Sequence, residues 1–493
     1  MNFFTIDPAL KETIENGSYP VKIKLLLTFK DQSQAEIPHT NIIQALIISR
    51  FTSPGVITTN TILKFTHKTM PTPTPEVEEA RIYFSCGDCD IYLLRFTLTP
   101  NDKNLVTDET GARTPLYTLN LEDTPARIKR LGAIPDWTTT QMVIDSTLCD
   151  KEYPDSSLFH IIAAKAGIVA DETESCTIDL SLPYINLTRS PWTELCDLTD
   201  AVHATLEGGC DKKLILSQSR YQEETTTTEE IPSLHENKFY KVTEETAGEK
   251  LKNDIRLRWN KPERLTHCIL WEYTDPPINY TATLKALYPF CLEGEKRAIE
   301  TDPDYQAPYT AQLPEGGEAE VVYADQLDTE TTVAARMEHY GHLSVSSYNT
   351  DAYPNKALIN LTCDGDDNLQ MLQIEGRPII IRKNSSCYLH DDDSITEHGL
   401  KTLNRTGKYF LNADIDGIPH YEDWTEENLR RNKTLKKRYK AESQYCLFHL
   451  RTGSLTNYIK NTGETITCTI TSLTMEYNTT EGFILKTTLL EEK

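Results

Sequence analysis

Residues 465–490 read TITCTITSLTMEYNTTEGFILKTTLL. In the first half Ile466, Cys468 and Ile470 alternate with threonines; after Thr471 the apolar positions become Leu473, Met475 and Tyr477, in the opposite phase. Side chains of a strand alternate between the two faces with a period of two, so a slip of one residue inside an unbroken strand is what a β-bulge produces. Asn478 to Gly482 then reads as a turn into a last strand, Phe483 to Leu490. A long bulged strand closing on a hairpin partner makes this end of the chain β-sheet.

Upstream the same grammar recurs. Val21 to Phe29 reads as a strand, and Asn41 to Phe51 meets a Ser53-Pro54-Gly55 turn and then Val56 to Phe65, an antiparallel hairpin. Ala80 to Phe84 and Ile91 to Thr97 flank the polar turn Cys86-Gly87-Asp88-Cys89, and Met70 to Pro75 reads as a stiff, exposed connector. Further strand signals lie at Ile255 to Trp259, Cys268 to Tyr273, Glu320 to Tyr323 and Ala357 to Cys363. Glu375-Gly376 turns the chain into Pro378 to Arg382, and Tyr445 to Arg451 precedes a Gly453-Ser454 turn. Residues 292–316 are rich in Pro, Gly and acid and read as a long surface connection, and 223–230, EETTTTEE, as a polar loop.

Helical signals are fewer. Ser156 or Asp155 can cap a helix through Leu158, Phe159, Ile161 and Ile162 to Ala166, with Gly167 as its stop. Ser190 is a cap with Pro191 at the first helical position; Trp192, Leu195, Leu198, Val202 and Leu206 then share a face, and Gly208-Gly209 ends the run before the strand Leu214 to Leu216. Ser394-Ile-Thr-Glu397 reads as a capping box for a short helix ending near 403–407, and Asp423 to Tyr439 as a longer charged helix. The expected class is mainly β (α+β) and multi-domain. The divisions are an N-terminal β domain 1–150, an α/β insertion 151–222, a second β domain 245–390, a helical segment 391–440 and C-terminal hairpins 441–493 that complete a β domain.

Composition bounds the function. With 493 residues the chain exceeds one compact core. Its 74 acidic residues against 50 basic give a formal charge of −24, which repels phosphate backbones and anionic lipid and argues against nucleic acid as the main partner. The N-terminus lacks the basic and apolar run of a signal peptide, and no stretch approaches the ~18 apolar residues of a membrane span. The 12 cysteines are therefore expected to be reduced, and Asn-x-Ser/Thr triplets such as those at Asn186 and Asn360 carry no weight.

Four places in the sequence offer candidate chemistry. Cys86 and Cys89 have redox or half-zinc-site spacing, but no second pair and no helix N-terminus accompany them. His390 with Asp391, Asp392 and Asp393 offers imidazole and oxygen ligands, yet lacks calcium-loop spacing and fits an acidic helix start. Asp364, Asp366 and Asp367 read as a turn. Asp414 and Asp416 are an acidic pair of the kind chance supplies among so many carboxylates. No nucleophile elbow, phosphate loop, dinucleotide fingerprint or zinc-protease helix is present. No residue is assigned a catalytic, cofactor-binding or metal-binding role, and the 5 Trp and 24 Tyr read as cross-strand packing.

Three stretches and a hairpin carry a resemblance. Ser157-Leu-Phe-His-Ile-Ile-Ala-Ala-Lys-Ala-Gly167, after the acidic 150–155 stretch, resembles the SLLHxLAxxAG helix of phage-like tail hub or tail-tip (baseplate hub) proteins. Pro183-Tyr184 through Trp192-Thr-Glu-Leu195 to Leu214-Ile-Leu216 is similar to that family's next helix–strand unit. Asp393-Ser-Ile-Thr-Glu-His-Gly399 resembles its SIxxYG helix start, with His398 at the tyrosine position, and Gly482 to Leu489 is similar to its last hairpin. The polar Gly-Asp turn of the family is here Gly453-Ser454.

The resemblance implies β-barrel-like domains with a helical insertion, arranged as a ring, usually a homotrimer. It implies a structural, non-enzymatic role at the virion tail tip, made in the bacterial host cytoplasm. The partners it implies are further copies of this chain, the tail tube, distal tail or baseplate and spike or tip proteins, and the tape-measure protein; DNA would pass without specific binding, with no membrane insertion and no cofactor. An acidic lumen would suit that passage. The rival readings are a tail-associated peptidoglycan hydrolase or peptidase and a receptor- or glycan-binding tail protein; the last hairpin ends close to Lys493, leaving no C-terminal extension for the former.

Overall fold

A computed structural model describes the chain continuously over 21–52, 55–67, 116–131, 157–168, 190–209, 233–264, 378–407, 418–445 and 450–492 apart from single positions, with shorter stretches elsewhere. Over 260–384 it describes backbone strands alone. The Met70–Pro75 connector, the 223–230 loop and the Gly87-Asp88 turn lie outside the described residues.

The class is mainly β, with several sheets and five α-helices among the described residues. Alternation builds the first strand, Val21–Phe29, which buries Ile23, Leu25, Leu27 and Phe29 and turns Lys22 and Lys24 outward. It pairs antiparallel with Gln34–Ile37 on one edge and Val77–Cys86 on the other. From there the ladder runs through Cys89–Leu98, Leu116–Glu122, Val56–Thr66, Ile42–Thr52, Thr465–Asn478, Gly482–Glu491 and Lys437–Ser443 to Lys241–Thr246. With its branches this is a 17-stranded sheet, too many to lie flat given the natural twist of strands.

The sheet curls until its ends share one core. Ile23, Leu27 and Phe84 of the early strands lie in the same buried cluster as Tyr439, Met475 and Leu489 of the late ones, and the Phe84 and Phe483 rings are 6.3 Å apart. No strand pairing among the described residues closes it into a barrel. At the seam His39 replaces a strand: its Nδ1 accepts from Ile23 N–H at 3.1 Å, and its Nε2 meets the Tyr477 hydroxyl at 3.4 Å. Burial and nearby Lys22 lower the His39 pKa, which keeps the ring neutral and Nδ1 able to accept.

The bulge read in the closing strand is present. Its register against Gly482–Glu491 shifts between Ile470 and Ser472, and Ile466, Cys468, Ile470, Leu473 and Met475 all reach the core. The slip lets one strand serve two neighbours along its other edge, Leu455–Ile459 over its first half and Ile42–Thr52 over its second.

The helices are α1 (Thr124–Leu131), α2 (Leu158–Lys165), α3 (Pro191–Ala201), α4 (Asp392–His398) and α5 (His420–Asn432). A second core joins α2, α3 and α5 to Leu206, Leu214 and Leu216 and to Ile255, Leu257 and Trp259 of the strand Asp254–Arg264. That strand pairs with Pro378–His390 on one edge and, in parallel, with Thr402–Gly407 on the other.

Four expectations are corrected. The charged helix ends at Asn432, and 437–443 is a strand burying Tyr439, Ala441 and Ser443, because alternation there outweighs the charge pattern. The short helix ends at His398, where Gly399 at φ +74° permits a stop, and 402–407 is strand. The described part of 445–451 forms turns, with Leu447 and Leu450 in the core. Residues 298–301 and 305–308, within the expected surface connection, form an antiparallel pair.

Candidate functional site

Two of the segments that resemble tail-hub motifs, 157–167 and 190–216, pack in the second core, while the closing hairpin belongs to the first. In α2, Ser157 does not cap its own helix. Its hydroxyl accepts from Asp150 N at 3.0 Å and meets His160 Nδ1 at 2.7 Å; the N-cap position is Ser157 itself, and Asp155 and Ser156 lie outside the described residues. His160 Nε2 reaches Ser175 Oγ at 3.3 Å, so one imidazole fastens the helix to the strand Thr173–Ser175. Gly167 ends the turn at φ +79°, as its position implies.

Serine, histidine and buried Cys149 together could suggest a nucleophile with its base. Burial instead pushes the Cys149 thiol up to about 12 and lowers the His160 pKa. A reactive thiol needs the opposite shift, so the cluster reads as packing with satisfied polar atoms.

Helix α3 begins as its sequence implies, Ser190 Oγ accepting from Thr193 N at 3.3 Å with Pro191 at the first helical position. Its end differs. The helix stops at Ala201, and Ala204 N–H bonds back to Thr199 O at 3.0 Å across His203, which stands at φ +50°. This is a Schellman turn with histidine where glycine is usual. Gly208 belongs to the next strand, Thr205–Gly208, and Leu206 with it.

The freed carbonyls at the end of α3 are taken by α5. His420 Nε2 donates to Ala201 O at 2.5 Å, and Trp424 Nε1 to Asp200 O at 3.1 Å. Arg405 forks onto the same helix, 3.0 Å from Asp197 Oδ1 and 2.7 Å from Asp200 Oδ2. Burial lifts Asp200 to about 6, and Arg405 opposes that lift. Strand, helix and inserted module thus hold one another.

At α4 the cap is Asp391, one turn ahead of the serine read as the capping residue. Its Oδ1 accepts from Ser394 N at 2.8 Å and its Oδ2 pairs with Lys433 Nζ at 2.9 Å, which lowers its pKa. Ser394 Oγ donates to Lys433 O at 2.5 Å. The organiser is Asn253, fully buried, which donates to Gly399 O at 2.9 Å and Ser394 Oγ at 3.3 Å and accepts from Lys401 N at 2.7 Å. Nothing in the sequence around Asn253 marks it, because its three partners lie more than 140 positions away.

The other candidates stay apart. Cys86 and Cys89 are register partners at the ends of adjacent strands. His390 Nε2 is 3.5 Å from exposed Asp392, while Asp391 is occupied as cap and ion-pair partner. Asp364 ends a strand paired with His342–Ser346, and Asp414 lies in a two-residue strand pair; Asp366, Asp367 and Asp416 are outside the described residues. No group of three His, Cys, Asp or Glu able to hold a metal occurs among the described residues, and no described helix is long and apolar enough to cross a membrane.

No family model matches the chain, and no curated protein does. Among solved structures, the chain is similar to the 43 kDa tail protein of prophage MuSo2 from Shewanella oneidensis (TM-score 0.46, 10% identity, 95% of this chain and 98% of that one). It is similar to the tail protein from Neisseria meningitidis MC58 (TM-score 0.47, 7% identity, 96% and 97%). It is also similar to an E. coli type VI secretion system component described as structurally similar to T4 bacteriophage tail proteins (TM-score 0.37, 8% identity, 92% and 74%).

Proposed function

We propose that this chain is a structural component of a phage-like tail, the hub at its tip, working as a homotrimer rather than as an enzyme. The observation that carries the reading is the order and mounting of the motif segments. Helices α2 and α3 and the strand Leu214–Ser217 pack in the second core, α4 adjoins the strand Asp254–Arg264, and the closing hairpin joins the large sheet. That is the succession the tail-hub resemblance implies.

The chain also offers an edge for assembly. Lys241–Thr246 pairs only with Lys437–Ser443 among the described residues and is largely exposed on both faces. An unpaired edge templates addition of a neighbouring strand. Its charges hold it in register on Lys437–Ser443 of the same chain: Lys241 pairs with Glu442, Glu244 with Lys437 and Glu245 with Lys440, each at 2.7 Å. In a ring built from such edges, the −24 charge would favour an acidic lumen that lets DNA or a tape-measure protein slide rather than stick.

An antibody raised against the chain tests the placement. It should label one end of tail particles purified from the organism that encodes the protein. Labelling along the tube, or of no particle, would refute the hub reading.

A further inference from the structure

A cleft of about 450 Å³ opens where the curled sheet meets the helical core, between the end of Ile42–Thr52, the middle of Thr465–Asn478, the end of α5 and the turn after α3. Its lining contradicts the charge of the whole. Arg50, Lys250, Arg431, Lys436 and Arg438 face two carboxylates, Asp200 and Glu492, in a chain with a 24-charge acidic excess. Both carboxylates are engaged, Asp200 with Arg405 at 2.7 Å and Glu492 with Lys436 at 2.8 Å. Arg431 pairs with Glu427 and Arg438 with Glu249. Arg50 and Lys250 have no ion pair among the described residues, which leaves two cations over.

One lining residue carries a buried polar atom. His203, kept in the left-handed region by the Schellman turn and stacked 6.3 Å from Trp424, has no hydrogen-bond partner at Nε2 among the described residues. An orphaned buried polar atom costs about 1–3 kcal/mol and is recovered when a ligand supplies the missing bond. Burial, seconded by Arg431, lowers the His203 pKa to about 3, so the ring is neutral and Nε2 donates in one tautomer.

We propose that this cleft is a binding site for a carboxylate-bearing peptide segment, whose acid group is held between Arg50 and Lys250 and hydrogen-bonded by His203. Size and field favour a peptide over nucleic acid. The volume fits a few side chains, and a single acidic tip feels the local cations, whereas a long polyanion would lie along a surface of its own sign. The inference does not rest on the tail-hub reading, since the isolated chain would bind in either case.

Fluorescence anisotropy with a short, dye-labelled Asp-rich peptide and the full chain tests it. Saturable binding that weakens with added salt is expected, and Arg50→Glu with Lys250→Glu should weaken it at least tenfold, about 1.4 kcal/mol. Should the double reversal not fold, Arg50→Gln with Lys250→Gln should still cause a smaller loss at an unchanged thermal midpoint. Absence of binding, binding indifferent to the folded variants, or tighter binding of a single-stranded oligonucleotide of equal charge would overturn the proposal.

Discussion

Asp123 shows how much one residue can be asked to do. It caps α1 by accepting from Ala126 N at 2.9 Å, and it accepts from Thr59 N at 2.7 Å, joining the helix to the strand Val56–Thr66. Burial, with Glu122 alongside, lifts its pKa to about 7 despite these bonds. The folded state then keeps a proton that the unfolded chain sheds in the ordinary carboxylate range, so this group's contribution to stability falls as pH rises from there to about 7. Asp123→Asn cannot ionise and escapes that loss. Its unfolding free energy relative to the native chain should rise with pH across the window, by about 1.4 kcal/mol per unit; a flat difference in urea titrations would contradict this. Asn253 is the companion case. Asn253→Ala strands Lys401 N and Gly399 O and should cost about 1–3 kcal/mol in the same measurement.

Neither residue was legible in the sequence, and the reason is physical. A side chain that satisfies distant backbone atoms leaves no periodic trace, whereas Ser190-Pro191 announced a helix start because cap and first turn are local. His203 misled for the complementary reason. Glycine marks the left-handed stop by default, and here histidine holds it, so the sequence pattern runs on to Gly208.

At the scale of elements, periodicity was dependable wherever one face is buried. The phase slip at Ile470–Ser472, the Ile42–Thr52 and Val56–Thr66 hairpin and the Leu214 strand all stand where alternation put them. It failed where charge hid alternation, as in 437–443. The junction between the curled sheet and the inserted module could not be read at all, since it depends on one close approach. Gly55, at φ +101°, lets Ala204 O come within 2.5 Å of where a Cβ would sit, and Leu206 N bonds Gly55 O at 3.0 Å. Gly55→Ala should therefore cost at least about 1–3 kcal/mol from backbone strain alone and loosen the module, measurable as a lower unfolding midpoint and faster proteolysis near 205. Trp424, 1% exposed, fixes α5 on α3, and Trp424→Ala should cost about 3–5 kcal/mol by calorimetry.

For the whole molecule, two cores share one scaffold. The curled sheet holds one and the three-helix assembly on Asp254–Arg264 the other, joined by parallel pairing at Val56 and Leu206. The mainly β class and the helical insertion followed from sequence pattern, but the bridge that His39 makes between Ile23 and Tyr477 did not, because its partners lie far apart in the chain. The strand Lys241–Thr246 presents charged, exposed faces at the edge of the sheet in a chain with an acidic excess; on the proposed reading, both hinder association before assembly.

That central claim, assembly into a ring at the tail tip, is tested most directly by light scattering on the purified chain with negative-stain imaging of the same fractions. The account predicts a particle of three times the 56.1 kDa chain mass, seen as a threefold ring. A strict monomer that turns over peptidoglycan would contradict it.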